Sequence, residues 1–403
     1  MIDLFRGNRD FTNFFLAGFI SRAGDGVQSL AILWLSYNLY RSSLVVGLVM
    51  IAVSLPGILA SPYAGSLADR RDRIKIMVAA DLVRMVCVFL LALFAWQGIL
   101  GLAALMVLSA VMSVASSFFN PASLAFLPQV ITRSDLTRAN GLNQMSSNLT
   151  MVAGPLIGMS LIVTIGVATA FALNGISFLC SALLIRRINV HYHPQSDREP
   201  ESAGTVPVIL RDGFRLLGRY PIAARMLDKT AVINFFFASI PILIPLYAEE
   251  IYHSGARGIG WMMSSFGAGT LAASLLLATS LPGRYPVRIT LTGALLIMGA
   301  AFMVFGLVIS WPVTLVTLLV IGFCVNFANI VLVSLYQRSL PNEVLGRIMA
   351  FMTAISMSLQ PVSYGLTGAL AEFAGLNRLL VISGLLIMAS ALTILRIREL
   401  RSS

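Results

Sequence analysis

Twelve apolar segments, separated by short polar or charged stretches, follow one another along the 403 residues of the chain. A helix that crosses the hydrocarbon core of a bilayer needs about 20 predominantly apolar residues, and each segment is about that long. Backbone groups in lipid must find partners within the protein, and the segments lack the alternation of strands, so helices are predicted. The chain is therefore expected to be an all-α membrane protein. The segments are 11–39, 44–67, 76–97, 100–120, 141–164, 166–186, 228–248, 258–280, 287–309, 312–335, 348–371 and 378–396.

The composition argues against a soluble enzyme that carries one membrane anchor. Charged residues make up only 11% of the chain, whereas soluble domains carry about 25%. The sequence has no phosphate-cradling loop, no Ser–His–Asp set and no acid pair placed for hydrolysis. His191 and His193 lie in a polar stretch without a third ligand nearby. Enzyme activity, a cofactor and a metal site are therefore not expected.

Lysine and arginine are distributed unevenly between the two sides of the predicted membrane. With the N-terminus placed in the cytoplasm, 23 of them fall on the cytoplasmic side and three, Arg41, Arg257 and Arg378, on the outer side. Such a bias sets the orientation of membrane proteins. Both termini are therefore predicted to be cytoplasmic. The topology also explains the net charge of +11 without a nucleic-acid partner.

The only long polar stretch, from Asn189 to Thr230, divides the segments into six and six. The predicted domains are an N-terminal six-helix bundle at 1–188, a cytoplasmic linker at 189–227 and a C-terminal six-helix bundle at 228–403. Weak internal repetition supports this division, since Pro155 in segment five corresponds to Pro361 in segment eleven. Parallel repeats around a site at the membrane midplane are a known plan for transporters.

The loop between segments two and three carries a specific motif, with Gly65, Asp69, Arg70, Arg73 and Lys75 in the sequence GSLADRRDRIK. It resembles the G-x-L-A-D-R motif of the major facilitator superfamily, and the twelve segments and the central loop agree with that resemblance over the whole chain. The resemblance implies two pseudo-symmetric six-helix bundles and transport by alternating access. It also implies that the loop latches the halves in one state. The residues themselves predict a close helix contact at Gly65, and the alternative is that the basic cluster only sets topology.

Segment five resembles the antiporter motif of the drug-exporting branches of this superfamily. It matches at Gly141, Gly154, Pro155 and Gly158 and departs at Thr150 and Met159, where the motif has glycine. Glycine and proline let a helix bend and let a neighbour pack closely. Ordinary packing of small residues is the alternative explanation.

The stretches Phe119–Pro128 and Leu136–Leu142 resemble a subgroup that includes macrolide-efflux, siderophore-export and lysophospholipid transporters. The resemblance does not choose a substrate within that subgroup. It implies a bacterial protein of the cytoplasmic (inner) membrane.

Two pairs of charged residues lie inside predicted helices. Arg22 and Asp25 in segment one share a helix face at i, i+3, and a charge near the bilayer centre costs about 2.5–3.5 kcal/mol. We expect Asp25 to carry the coupling proton, with Arg22 as its partner. The alternative is a structural pair between helices. Asp81 and Arg84 repeat the spacing in segment three and are assigned to the charge network of the Asp69 loop.

The superfamily resemblance implies a central cavity bordered mainly by segments 1, 4, 7 and 10. The wall of this cavity is expected to combine polar residues with apolar and aromatic ones. Apolar and aromatic side chains form adaptable walls for apolar ligands. The expected cavity residues are Gln28, Asn120, Gln144, Asn148, Asn234, Phe236, Asn326, Asn329, Gln360 and Tyr364.

These patterns favour a proton-coupled exporter of lipophilic or amphipathic small molecules. Its expected partners are the substrate, protons and membrane lipid, and a monomer is expected. A lipid transporter of the lysophospholipid type, a metal-ion or nutrient facilitator, and a receptor or scaffold that no longer transports are the alternatives.

Overall fold

The computed structural model describes residues 8–131, 135–189, 215, 218–279 and 286–395. These ranges contain twelve long α-helices and no strand, which confirms the predicted all-α class and the number of segments. The helices are α1 Arg9–Tyr40, α2 Ser43–Arg70, α3 Arg73–Trp96, α4 Leu102–Val130, α5 Leu136–Thr164, α6 Val167–Arg186, α7 Pro221–Leu246, α8 Gly255–Thr279, α9 Val287–Leu307, α10 Trp311–Ser339, α11 Asn342–Ala374 and α12 Leu376–Ile394. A π-helical turn, Tyr247–Ile251, follows α7.

Ten of the twelve helices are long and apolar enough to cross a membrane by length and composition, and α1 and α11 are the exceptions. Polar side chains in mid-helix explain both cases, because Arg22, Asp25 and Gln28 interrupt α1, and Ser358 and Gln360 interrupt α11.

The short connections rely on glycine where the backbone must turn sharply. Gly166 joins α5 to α6 with φ of 99°, and Gly375 joins α11 to α12 with φ of 80°. Residues with a Cβ rarely adopt this conformation. Consecutive helices can therefore run antiparallel with almost no loop between them.

The chain divides into two compact units, one formed by Met1–Leu39 and Val49–Ala203 and the other by Tyr40–Leu48 and Gly204–Ser403. Most of the predicted linker at 189–227 lies outside the described residues. The sequence places all of α2 in the first half, whereas the structure assigns residues 40–48 to the second unit.

Corresponding helices pack against each other in the two units. In the first unit α3 packs against α4 and α6, and in the second unit α9 packs against α10 and α12. The α7–α11 contact corresponds to a close approach of α1 and α5 at Gly26 and Gly154. The core of the first unit includes Phe11, Phe126 and Met77. The repeated pairing agrees with the internal repeat seen in the sequence.

Residues at the start of α2 are held within the second unit by the end of α11. Glu372 Oε2 accepts hydrogen bonds from Ser42 Oγ at 2.8 Å and from the Leu44 N–H at 3.2 Å. Ser43 Oγ donates to the Gly368 carbonyl at 2.8 Å. Glu372 therefore caps the first turn of α2, a position where a carboxylate is favourable.

We expect Glu372→Gln to loosen residues 42–48, because an amide caps a helix less well than a carboxylate. The hydrogen bonds from Ser42 and from the Leu44 N–H hold the pKa of Glu372, which lies beyond the predicted span 348–371, below its usual value. The ionised carboxylate makes these hydrogen bonds best. The cap is therefore fully formed at pH values above the ordinary pKa of glutamate, and it weakens as the pH falls through the lowered pKa of Glu372. Hydrogen–deuterium exchange of the 42–48 amides at neutral pH measures the loosening.

The neighbouring ion pair provides the control for this prediction. Arg41 Nη1 lies 3.0 Å from Glu249 Oε2, but the Arg41 side chain is 59% exposed, and exposed pairs contribute little. Arg41→Gln should leave exchange at 42–48 nearly unchanged. Equal exchange in the Glu372→Gln variant and the unmodified protein would show that the cap does not hold the start of α2.

Candidate functional site

Polar and charged side chains collect inside the first unit, where α1, α3 and α6 meet. We call this set the buried polar cluster. Asparagine and serines recur on α6 at spacings that place them on one helix face, and this face meets charged residues on α1 and α3. The cluster consists of six buried side chains and one partly buried one, Asp25; the buried members are Gln28, Asp81, Arg84, Asn174, Ser177 and Ser181.

Asp81 and Arg84 form an ion pair in the middle of the cluster. Asp81 is fully buried and Arg84 is 4% exposed. Ser181 Oγ donates a hydrogen bond to Asp81 Oδ2 at 2.6 Å. The Arg84 guanidinium carbon lies 4.5 Å from the ring centres of both Phe119 and Phe178, a geometry that favours cations. Each charge is thus paired and shielded from lipid.

These contacts revise the assignment of Asp81 and Arg84 to the loop network. Among the described side chains, their contacts outside α3 lie on α4 and α6. The reason is geometric, because the face of α3 that carries both residues packs against α6.

Asp25 lies beside this ion pair without joining one itself. Its carboxylate has the Asn174 side chain as a hydrogen-bonding neighbour, and Arg84 and Arg22 are the cations that act on it. Within the described ranges, no cation lies within 4.0 Å of this carboxylate. Asp25 is only partly buried, so it borders the surface of the unit.

The direct Arg22–Asp25 contact expected from their spacing is not formed. The Arg22 side chain turns back along α1 to Gly18, where an added Cβ would lie 3.2 Å from both terminal nitrogens. Arg22 Nη2 donates to Ser146 Oγ of α5 at 3.0 Å. Arg22 Nε is buried without a hydrogen-bond partner in the described structure. Arg22 is therefore held one turn away from Asp25.

Asn174 connects α6 to α1. It donates to Gln28 Oε1 and accepts from Ser177 Oγ at 2.7 Å. Gly24 makes this approach possible, since an added Cβ would lie 2.1 Å from Asn174 Oδ1 and 2.3 Å from Ser177 Oγ. Gln28, expected in the central cavity, is 6% exposed and belongs to this interior network instead.

The glycines of the antiporter motif form the contact between α5 and α1. A Cβ on Gly154 would lie 2.7 Å from Gly26 Cα, and a Cβ on Gly158 would lie 3.1 Å from the Val27 carbonyl oxygen. Pro155 lies between them inside α5. At Gly141, however, a Cβ would meet none of the described residues within 4 Å, so packing among these residues does not explain that position.

The motif at 65–75 covers the end of α2, the short turn after Arg70 and the start of α3, and one of its arginines holds it. Arg73 donates to the Ala68 carbonyl oxygen at 3.2 Å and to the Ala125 carbonyl oxygen at 2.9 Å, and so ties the end of α2 to α4. The side chain of Asp69 lies outside the described residues. No close helix contact forms at Gly65 among the described residues, since an added Cβ would meet none of their atoms within 4 Å.

The residues expected to line a cavity have different environments within their own units. Phe236 is buried at 6% exposure and packs edge-to-face with Phe302, which makes it a core residue. Asn234 donates to the Thr230 carbonyl, and Asn326 donates to the Thr270 carbonyl and to Ser274 Oγ. The remaining members are exposed or partly buried: Asn120, Gln144, Asn148, Asn329, Gln360 and Tyr364.

Sequence reasoning missed Asn174, Ser177 and Ser181. The available signal is their spacing, because three polar residues at i, i+3 and i+7 on one apolar helix mark a polar stripe. His191 and His193, considered as metal ligands, lie outside the described residues.

Comparison with known proteins gives consistent matches over the chain. A family model described as Major Facilitator Superfamily matches residues 14–364 and 230–402. The multidrug efflux pump Tap of Mycobacterium tuberculosis is 27% identical over 393 residues, covering 96% of this chain and 92% of that protein. Macrolide efflux protein A of Streptococcus pyogenes is 24% identical over 386 residues, covering 95% and 94%.

Solved structures share the fold at low sequence identity. A mutant of the nucleoside transporter NupG superposes with a TM-score of 0.76 at 9% identity, covering 96% of this chain and 99% of that one. A bacterial homologue of the iron transporter ferroportin in an inward-facing state gives a TM-score of 0.76 at 14% identity, covering 96% and 98%.

Proposed function

The chain belongs to the major facilitator superfamily, and from this premise we propose that it is a proton-coupled exporter of lipophilic or amphipathic small molecules. It works by alternating access, as a monomer in the cytoplasmic membrane with both termini inside. Its relatives named as multidrug and macrolide efflux proteins, at 27% and 24% identity, support the export of such compounds.

The observation that supports proton coupling is that the Asp25 carboxylate forms no ion pair among the described residues. This carboxylate lies in mid-helix, contacts Asn174 and has no cation within 4.0 Å among the described residues. Arg84, one of its two cationic neighbours, already forms an ion pair with Asp81. A carboxylate that no ion pair neutralises can take up a proton and release it again.

Three other charged residues surround Asp25 and take part in its proposed cycle of protonation and deprotonation. Asp81 and Arg84 face it from α3 and Arg22 from its own helix, while α6 contributes only polar neutral groups. We assign Arg22 as the cation that approaches Asp25 after the proton leaves toward the cytoplasm. Substrate moves outward in the opposite half of the cycle, when Asp25 is protonated again from outside.

Asp25→Asn tests this function. In proteoliposomes with an imposed pH gradient, the unmodified protein should move erythromycin or a lipophilic dye against its concentration gradient, and substrate addition should dissipate the pH gradient. Asp25→Asn, which cannot release a proton, should reduce gradient-driven transport to the level of empty liposomes while retaining substrate exchange without a pH gradient.

Asp10→Asn is the matched control, because Asp10 lies in the first turn of the same helix and should not affect coupling. Full gradient-driven transport by Asp25→Asn would show that another group carries the proton. Translocation of a labelled lysophospholipid without a pH gradient would instead identify a lipid transporter, and metal-dependent flux would identify a metal-ion facilitator.

A further inference from the structure

The first unit contains a groove of about 880 Å³ between α2, α3 and α4. Its walls are almost entirely apolar, with Pro56 from α2, Ile76 and Val83 from α3, and Val114 and Phe118 from α4. The groove is separate from the buried polar cluster, whose residues do not line it. Its volume lies within the range of about 300–1,000 Å³ that is usual for small-molecule sites.

The groove opens on the outer surface of these helices. Val83 is 43% exposed and Val111 is 40% exposed, and both line it. Neighbouring positions on the same helices, Val86 and Val107, are 50% and 61% exposed. In a chain whose α2, α3 and α4 are apolar enough to cross a membrane, such a surface faces acyl chains.

One end of the groove is strongly basic. Among the described residues, Arg70, Arg71 and Lys75 line it together with one acid, Asp72. The Asp72 carboxylate is engaged in capping α3, where it accepts hydrogen bonds from the N–H groups of Ile74 and Lys75. This end of the groove therefore carries an excess of positive charge directly beside an apolar channel.

We propose that this groove is a binding site for one anionic phospholipid, with an acyl chain along the apolar wall and the phosphate between Arg70, Arg71 and Lys75. Charge complementarity selects this occupant. A soluble phosphate would leave the apolar wall uncovered. A neutral lipid would leave Arg70 and Arg71 without a counter-charge among the described side chains, whereas Lys75 Nζ lies 3.9 Å from Asp72 Oδ2. Basic pockets between helices at a membrane surface bind anionic headgroups in this way.

Native mass spectrometry of the full-length protein in detergent tests the site, with dioleoylphosphatidylglycerol and dioleoylphosphatidylcholine as probes. The unmodified protein should retain phosphatidylglycerol in preference to phosphatidylcholine. Replacing Arg70, Arg71 and Lys75 by glutamine should weaken phosphatidylglycerol binding by about fivefold for each cation removed. Replacing Arg186 and Arg187, an exposed basic pair at the end of α6, should leave binding unchanged.

A second pair of variants tests the groove itself. Val83→Trp fills the channel and should abolish retention of phosphatidylglycerol. Val86→Trp, on the same helix but outside the lining, should not. If Val83→Trp does not fold, Ala79→Phe narrows the same channel from the preceding turn.

Three results would overturn the proposal. Equal retention of both lipids, unaffected by the glutamine substitutions, would exclude headgroup recognition. Equal retention of phosphatidylglycerol by Val83→Trp and Val86→Trp would place the lipid elsewhere. A dimer that is lost in Val83→Trp but not in Val86→Trp would identify a second copy of the chain as the occupant.

Discussion

Arg84→Met is expected to destabilise the folded protein by about 3–5 kcal/mol, because it leaves the fully buried Asp81 without its counter-charge. Ser181 is the other group that holds this carboxylate, and one hydroxyl cannot replace a cation. Methionine keeps much of the volume and the contact with Phe119 and Phe178. The loss therefore reports the unpaired charge and not an empty space.

The midpoint of thermal unfolding in detergent, followed by intrinsic fluorescence, measures this effect. The double variant Asp81→Leu/Arg84→Met should recover most of the lost stability, since replacing a buried ion pair with apolar residues is often neutral. Arg22→Met, which removes a hydrogen bond to Ser146 but no ion pair, should cost much less. Equal losses in the single and double variants would show that the ion pair is not what Arg84 contributes.

Gly154→Val is expected to lower the free energy of unfolding by about 1–3 kcal/mol through overpacking. It is also expected to abolish transport. An added Cβ already approaches Gly26 Cα to 2.7 Å, so valine must push α5 away from α1. That displacement also carries Ser146 away from Arg22 and changes the surroundings of Asp25.

Gly141→Val is the matched control for this prediction. Gly141 lies on the same helix, and a Cβ there meets none of the described residues within 4 Å, so its substitution should cost only helix propensity. Thermal unfolding and dye export in cells, compared at equal expression, distinguish the two variants. Similar behaviour of both would mean that the α1–α5 contact does not need glycine at 154.

The sequence predicts the helices well because spanning segments are set by local composition. Ten of the twelve helices are apolar enough to span lipid by length and composition, and polar backbone groups leave no alternative to helices there. The motifs near Asp69 and Gly154 similarly identify the superfamily, because their residue types occur together at fixed spacing. Both kinds of signal lie within a short stretch of chain.

The partners of the charged residues depend on contacts that are distant in sequence, and here the sequence predicts less. The spacing of Arg22 and Asp25 favours a pair, but the open position at Gly18 and the hydroxyl of Ser146 hold Arg22 elsewhere. Asp81 and Arg84 are neighbours of the basic loop in sequence, yet they face α6. Helix periodicity gives the side of a helix but not which helix packs against it.

Gly26 illustrates the same limit for packing. Its position in α1 does not indicate a neighbour, whereas the structure places it against Gly154. A glycine in one helix indicates a close helix contact only when the residue that faces it on the neighbouring helix is known. Gly65 and Gly141 match their motifs equally well, and an added Cβ at either would meet none of the described residues within 4 Å.

The Asp81–Arg84 pair also bears on how the chain enters the membrane during synthesis. Both charges lie on α3, three residues apart, so this helix brings its own counter-charge when it leaves the translocon. Phe119 arrives one helix later, and Phe178 and Ser181 arrive with α6. Until α6 is inserted, the pair neutralises itself inside a single helix. With Phe119 of α4 already beside the pair, α6 adds a second aromatic ring and a hydroxyl, so the last helix of the unit completes the surroundings of the charges that the third helix carries.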